Sequence, residues 1–216
     1  MDEETAIIDT RTRNEKIKIF VTNNKKKILS ILISLILLIC SFYIFQSHKN
    51  SQKEILSDKY NSAVIEYKDK DTEKSKTVNF MREIVNTKDS TYSPLALYFL
   101  IDNNLVENRS EINNLFDVVI NKTPLENEIK NLIIYKKALF NADFANETEL
   151  LNILNPLVNS TSVWRSHALH LIGEYFYFND EKLKAKDFFN EILKIDNANQ
   201  DIIKEAKKRL SRDLSE

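Results

Sequence analysis

The sequence predicts an all-α protein, with a single transmembrane helix followed by a stack of antiparallel helix hairpins. Three observations lead there. The 216 residues contain one glycine, Gly173, and three prolines, although average usage would bring glycine to about 7%. Sheets with tight turns and phosphate-cradling loops draw on glycine's positive φ, so this scarcity points to long helices joined by short Asn/Asp/Ser/Thr turns. A run from Ile28 to Phe45 carries no charge at all. From Gln52 onward, apolar residues recur every three or four positions, the spacing that lines one face of a helix.

Hydrophobic residues make up 43% of the chain and charged ones 29%, a balance that favours a packed core over wholesale disorder. The net charge of −1 is unevenly placed. Residues 1–27 hold seven Lys/Arg against five Asp/Glu, whereas residues 46–216 hold 24 against 27. A mildly acidic main domain is a poor match to a phosphate backbone, which needs clustered cations, so no nucleic-acid partner is expected. One glycine cannot build a P-loop or a G-x-G-x-x-G turn. Acidic residues such as Glu126, Glu128, Glu147 and Glu149 fall at helix starts, where they complement the macrodipole rather than pair for catalysis. No catalytic residue and no cofactor is expected.

Ile28 to Phe45 is eighteen residues rich in Ile and Leu. At about 1.5 Å per residue it spans roughly 27 Å, enough for a hydrocarbon core. Phe42, Tyr43 and Phe45 suit the interfacial aromatic belt at one end, and Lys25, Lys26 and Lys27 mark the other face. Positive-inside reasoning keeps residues 1–27 in the cytoplasm and sends the C-terminal domain across, into the periplasm if the membrane is a bacterial inner membrane. A cleavable signal peptide would have a shorter apolar region and an A-x-A-like exit; here the exit reads "ICSFYIFQS". A lipoprotein site would want a small residue before the cysteine, and Ile39 precedes Cys40. Cys40 is the only cysteine, so no intrachain disulfide can form.

The periodicity places helices near 52–68, 73–87, 93–106, 110–121, 126–142, 147–158, 163–178, 181–195 and 201–211. Between them lie polar breaks such as "DKDT", "NTKDST", "VENRS", "NKTP", "NADFANE" and "FNDEK". Ser93 before Pro94 reads as an N-cap with proline at the first helical position, and Asn199 or Asp201 could cap the last helix. The organisation expected is a cytoplasmic segment 1–27, a span 28–45, a short tether 46–51, a helical domain 52–211 and a tail 212–216. Four N-x-S/T sequons, at Asn108, Asn121, Asn146 and Asn159, are about as many as chance yields in so Asn-rich a chain.

The last hairpin, "HALHLIGEYFYFNDEKLKAKDFFNEILKIDNANQ", resembles a tetratricopeptide repeat. Gly173 matches the small residue of the first helix and Phe176 the aromatic one turn later. Ala185 matches the small residue of the second helix and Phe189 the aromatic beneath it. A glycine and an alanine facing each other let two helices approach, and the rings fill the space toward the next hairpin. Asn197 stands where the motif usually has proline. Earlier hairpins are more degenerate: Phe80, Phe116 and Leu154 take the place of Phe189, while Lys76, Ile112 and Leu150 replace the small residue. Pro124 sits where the repeat proline belongs in the second unit. Stacked hairpins bury a continuous core that no single one could, so the expected architecture is a tetratricopeptide-repeat-like α-solenoid, with "DIIKEAKKRLSRDLSE" as a terminal cap.

The order of parts, "EKIKIFVTNNKKK", one span, then "SDKYNSAV" opening a degenerate repeat domain, resembles the YfgM-like bacterial inner-membrane family. The closing "WRSHALHLIGEYFYFNDEKLKAKDFFNEI" is similar to that family's last hairpin, so the resemblance covers residues 15–210. It implies an ancillary subunit of the Sec translocon that associates with the channel and with a membrane-anchored periplasmic chaperone of the prolyl-isomerase type, aiding proteins that emerge into the periplasm. The alternative in a different class is a scaffold or assembly factor for another cell-envelope complex, of division or respiration, without client binding.

Candidate contact residues follow from the repeat alignment. His167, His170, Glu174, Tyr177 and Phe178 fall where first-helix residues line a groove, and a Tyr/Phe/His lining beside a carboxylate suits contact with a peptide or partner helix. Ordinary surface and packing is the competing reading. His167 and His170 share a helix face as metal ligands do, but no third ligand accompanies them, so no metal is expected. The cytoplasmic "IDTRTRNEKIKIFVTNNKKK" is either an interfacial amphipathic helix drawn to anionic lipid or a disordered leader that only sets topology. Ile17, Phe20 and Val21 supply its apolar face; Asn23 and Asn24 interrupt it.

Overall fold

A chain without glycine or proline before Pro94 has nothing in its first 68 residues to stop a helix, and the computed structural model shows the outcome. It describes residues 2–68 and 74–214. Among them the protein is helical, with nine α-helices and no strand: α1 (Asp2–Lys68), α2 (Lys74–Asn86), α3 (Tyr92–Asp102), α4 (Arg109–Lys122), α5 (Asn127–Asn141), α6 (Glu147–Val158), α7 (Arg165–Phe178), α8 (Lys182–Ile192) and α9 (Gln200–Arg212).

Residues 46–51, expected as a tether, are helical and lie inside α1. Polar residues alone do not break a helix; Gln46 reaches Asn50 one turn on, Nε2 to Oδ1 at 3.3 Å. The polar break "DKDT" falls on residues 69–72, outside the described residues. One helix is long and apolar enough to cross a membrane, and none of the side chains of its apolar stretch is buried. Cys40 is exposed within it.

The chain divides into two units, residues 1–55 and residues 56–216. In the second unit the end of α1 contributes Ala63, which is buried, and Leu56, Tyr60 and Val64, which pack against the core. Tyr60 meets Tyr92 of α3 at 5.8 Å between ring centroids, and Tyr67 meets Phe99 edge-on at 5.2 Å. The helices that follow pack chiefly on their neighbours in sequence. α2 lies against α3, α4 touches both and also α5, α5 meets α6 and α7, α6 meets α7, and α7, α8 and α9 pack on one another.

Four pairs of positions one turn apart fill the core: Thr77 and Met81 in α2, Ile112 and Phe116 in α4, Leu150 and Leu154 in α6, Ala185 and Phe189 in α8. All eight are buried. The first pair corrects the sequence register by one residue. Lys76 is exposed and pairs with Glu66 at 3.6 Å, and Phe80 is only partly buried. Met81 is fully buried in its place.

With no glycine available at the turns, three L-residues among the described ones adopt positive φ: Lys88 at 59°, Asn104 at 50° and Asp180 at 59°. Two of these complete Schellman endings. After α3, Asn104 N–H donates to Ile101 O at 3.0 Å and Leu105 N–H to Leu100 O at 2.9 Å; after α7, Asp180 N–H donates to Tyr177 O and Glu181 N–H to Phe176 O at 2.9 Å. Asparagines supply three of the N-caps. Asn108 accepts from Glu111 N–H, Asn146 forms a capping box with Glu149, and Asn199 accepts from the N–H groups of Asp201 and Ile202. Two sequon asparagines are therefore helix N-caps, and Asn159 is the C-cap residue of α6.

Ser93 is not a cap. α3 begins at Tyr92, with Asp89 Oδ1 accepting from the N–H of Thr91 and Tyr92 at 2.8 Å each. Ser93 is fully buried inside the first turn, where its hydroxyl donates to Ile84 O at 3.0 Å. A side chain bonded across to α2 is not free to turn back on its own helix. At the other end, Leu214, just after α9, is buried; the last two positions of the expected tail, 215–216, lie outside the described residues.

Candidate interaction site

Helix α7 buries Ser166, Ala168, Leu169, Ile172, Gly173 and Phe176. The same 3.6-residue period gathers His167, His170, Glu174, Tyr177 and Phe178 on another side of the helix.

The residues expected to pack between repeats lie on α7 and α8, which pack against each other. Gly173, Phe176, Ala185 and Phe189 are all buried. Gly173 faces the Phe189 ring rather than Ala185: a Cβ built on it would lie 2.9 Å from Phe189 Cε1 and 3.0 Å from Cζ. The glycine makes room for the ring. Phe176 stacks on Phe188 with centroids 5.5 Å apart, and Lys184 places Nζ 4.7 Å from the Phe176 centroid while bonding Glu147 of α6 at 2.9 Å.

Most of the five expected groove residues are engaged within the chain. His167 packs against Trp164 at 5.1 Å and edge-on against Tyr135 at 5.7 Å. His170 meets the Phe189 ring at 5.7 Å. Burial pulls both imidazoles below the usual histidine range; for His170 the nearby carboxylates of Glu174 and Glu205 pull back, and Arg209 and His167 add to the depression. Glu174 is held by Arg209 of α9 through two bonds, Nε to Oε1 at 2.7 Å and Nη2 to Oε2 at 2.6 Å. The same guanidinium lies 4.4 Å from the Tyr177 ring centroid and 5.9 Å from that of Phe178, and its Nη1 bonds Asp213 at 2.9 Å. Only Phe178 stays widely exposed, at 76%.

Arg209 and Asp213 are the residues that sequence reasoning missed. The amphipathic run "DIIKEAKKRLSRDLSE" that holds both is legible as a terminal cap. Nothing in the pattern says that the cap reaches the face of α7 that carries Glu174 and Tyr177. The guanidinium between two carboxylates is firmly charged, and Asp213 is pushed down to about 2, first by its bond to Arg212 and then by that to Arg209.

An open cleft of about 580 Å³ lies between α4, α5 and α6. Asn113 and Asn141 exchange amide bonds across its floor at 2.9 and 2.8 Å, and Lys137 bonds Asp117 at 2.8 Å. At the rim the Arg109 guanidinium lies 3.7 Å from the centroid of exposed Phe144. Apolar side chains are also exposed around the hairpin turns, including Leu139, Val163 and Leu183. Such surfaces suit protein contact, in which rigid aromatics and Arg carry much of the energy. Among the described residues, no three His, Cys, Asp or Glu side chains come together in a way that could hold a metal.

Lys25, Lys26 and Lys27 are exposed on α1 immediately before Ile28. No protein-family model matches the chain, and no curated protein or solved structure shows significant similarity to it.

Proposed function

We propose that this chain is a single-pass, membrane-anchored protein-interaction module without catalytic activity. Its N-terminus lies in the cytoplasm of a bacterial cell, the span crosses the inner membrane, and its helical domain is a tetratricopeptide-repeat-like solenoid on the periplasmic side. The role is that of an accessory of the Sec translocon, linking the channel to a membrane-anchored periplasmic chaperone and assisting translocated proteins.

The observation that carries this reading is the contrast between the two units. An 18-residue charge-free stretch of helix buries nothing in the protein, while the second unit has a continuous core of its own. Apolar surface on that scale belongs in lipid. Support for the repeat architecture comes from the four buried pairs, whose second members, Met81, Phe116, Leu154 and Phe189, recur at steps of 35 to 38 residues. The Sec assignment rests on the resemblance of residues 15–210 to the YfgM-like family. Tethering gives the module its physical advantage, because partners confined to one membrane meet at high effective concentration and weak contacts suffice.

Crosslinking followed by purification from native membranes tests the assignment. Recovery of Sec subunits, the chaperone and nascent envelope proteins is expected. Recovery of only a division or respiratory complex would replace it with the scaffold reading. Protease added to spheroplasts should digest the C-terminal domain, and a protected domain would overturn the topology.

A further inference from the structure

We infer that residues 13–22 form a lipid-binding arm that docks on the anionic headgroups of the membrane face from which the span departs. The inference rests on the reading of residues 28–45 as a transmembrane helix. Residues 13–27 carry Arg13, Lys16, Lys18, Lys25, Lys26 and Lys27 against the single acid Glu15. On α1, at 100° per residue, Ile17, Phe20 and Val21 share one stripe, and Lys16 and Lys18 flank it on either side. All three apolar side chains are exposed, Phe20 by 63%. Cations bordering an apolar stripe can rest their stems on acyl chains while their heads meet phosphates.

Charge also decides the occupant. Pairing with a second copy along this stripe would bring Lys16 and Lys18 toward the lysines of the other chain, a repulsive arrangement. An anionic bilayer surface is complementary, and each lysine near it contributes favourably. Geometry then requires a bend. Along a straight helix Phe20 stands about 12 Å beyond Ile28, outside the acyl boundary. The side chains between arm and span are those that bend helices by bonding carbonyls one turn back. Thr22 Oγ1 donates to Lys18 O at 2.8 Å and to Ile19 O at 3.0 Å. Asn24 Nδ2 donates to Phe20 O at 3.0 Å. The hinge therefore lies at Thr22–Asn24.

The test uses the full chain carrying Cys40→Ser, with an environment-sensitive fluorophore on Phe20→Cys or, on the opposite side, Ile19→Cys. Each is placed in nanodiscs of phosphatidylcholine alone or with about one third phosphatidylglycerol. In anionic discs the label at 20 is expected to be blue-shifted and shielded from iodide while the label at 19 stays accessible. Half-molar salt should release it, and Lys16→Gln and Lys18→Gln should each weaken the docked state about fivefold. Lys25, Lys26 and Lys27 stay intact because they orient the span. Equal access at 19 and 20 in anionic discs would overturn the inference. So would shielding at 20 that ignores lipid charge, or that persists in detergent together with a crosslinked dimer. A chain that inserts into discs but leaves position 20 open sinks the arm alone; one that fails to insert sinks the spanning reading with it.

Discussion

The ring of Phe189 occupies the place that a side chain at Gly173 would fill, with Cε1 2.9 Å from the position of a Cβ. The single glycine of the chain is therefore spent on helix packing and not on a turn. Gly173→Ala sets a gain in helix propensity of about 1 kcal/mol against overpacking at a fully buried ring, about 1–3 kcal/mol. The clash wins, because Phe189 has no exposed side toward which to move. Thermal denaturation of the variant should show a Tm several degrees lower. Adding Phe189→Leu, which removes the ring, should make the double variant more stable than the sum of the two single losses predicts.

Arg209 locks α9 onto α7. Its pair with Glu174 is about four-fifths buried on both sides, between the regimes of surface and interior ion pairs. Arg209→Ala should cost about 1–3 kcal/mol, and Arg209→Lys should recover only part, since an ammonium cannot bridge both carboxylate oxygens. Hydrogen exchange should rise in α9 well before it rises in α4 or α6. Unchanged exchange in α9 would show that burial of Ala206 and Leu214 holds the helix without the ion pair.

Lys88 holds φ at 59°, where an L-residue is strained by about 1–2 kcal/mol relative to glycine. Its side chain is exposed, so Lys88→Gly removes the strain and loses no packing. The variant is expected to be more stable, with Tm raised by about 2–4 °C. A lowered Tm would mean that the entropy added to the unfolded chain outweighs the relief.

His167 and His170 bind their protons less tightly in the folded domain than in the unfolded chain, chiefly because they are buried. Their contribution is fully present above the ordinary histidine value of 6.5 and is lost as pH falls below it, since the unfolded chain then takes up more protons. Denaturant midpoints should decline between pH 7 and pH 5. His170→Gln should make that decline shallower. A slope that survives replacement of both histidines would assign it to the carboxylates instead.

Much of this architecture was legible from local chemistry. The scarcity of glycine and proline, the charge-free run before Gln46 and the three-to-four spacing after Gln52 depend on neighbours along the chain. They placed the helices of the domain to within a few residues. One capping asparagine was readable for the same reason: Asn199 acts on N–H groups two and three residues ahead. Gly173 and Phe189 were marked as packing residues by the resemblance of the last hairpin to a tetratricopeptide repeat.

What the sequence by itself determined is what short-range periodicity and composition carry: helix content and the apolar run. Tertiary structure decided which surfaces remained open. Glu174 and Arg209 are thirty-five residues apart in the chain, and no local pattern says that one will consume the other. It also chose Met81 over Phe80, because a core position is settled by the shape left between helices rather than by the size of one side chain. Continuity of α1 through residues 46–51 belongs with these, since a polar segment is equally compatible with loop and helix until nothing interrupts it.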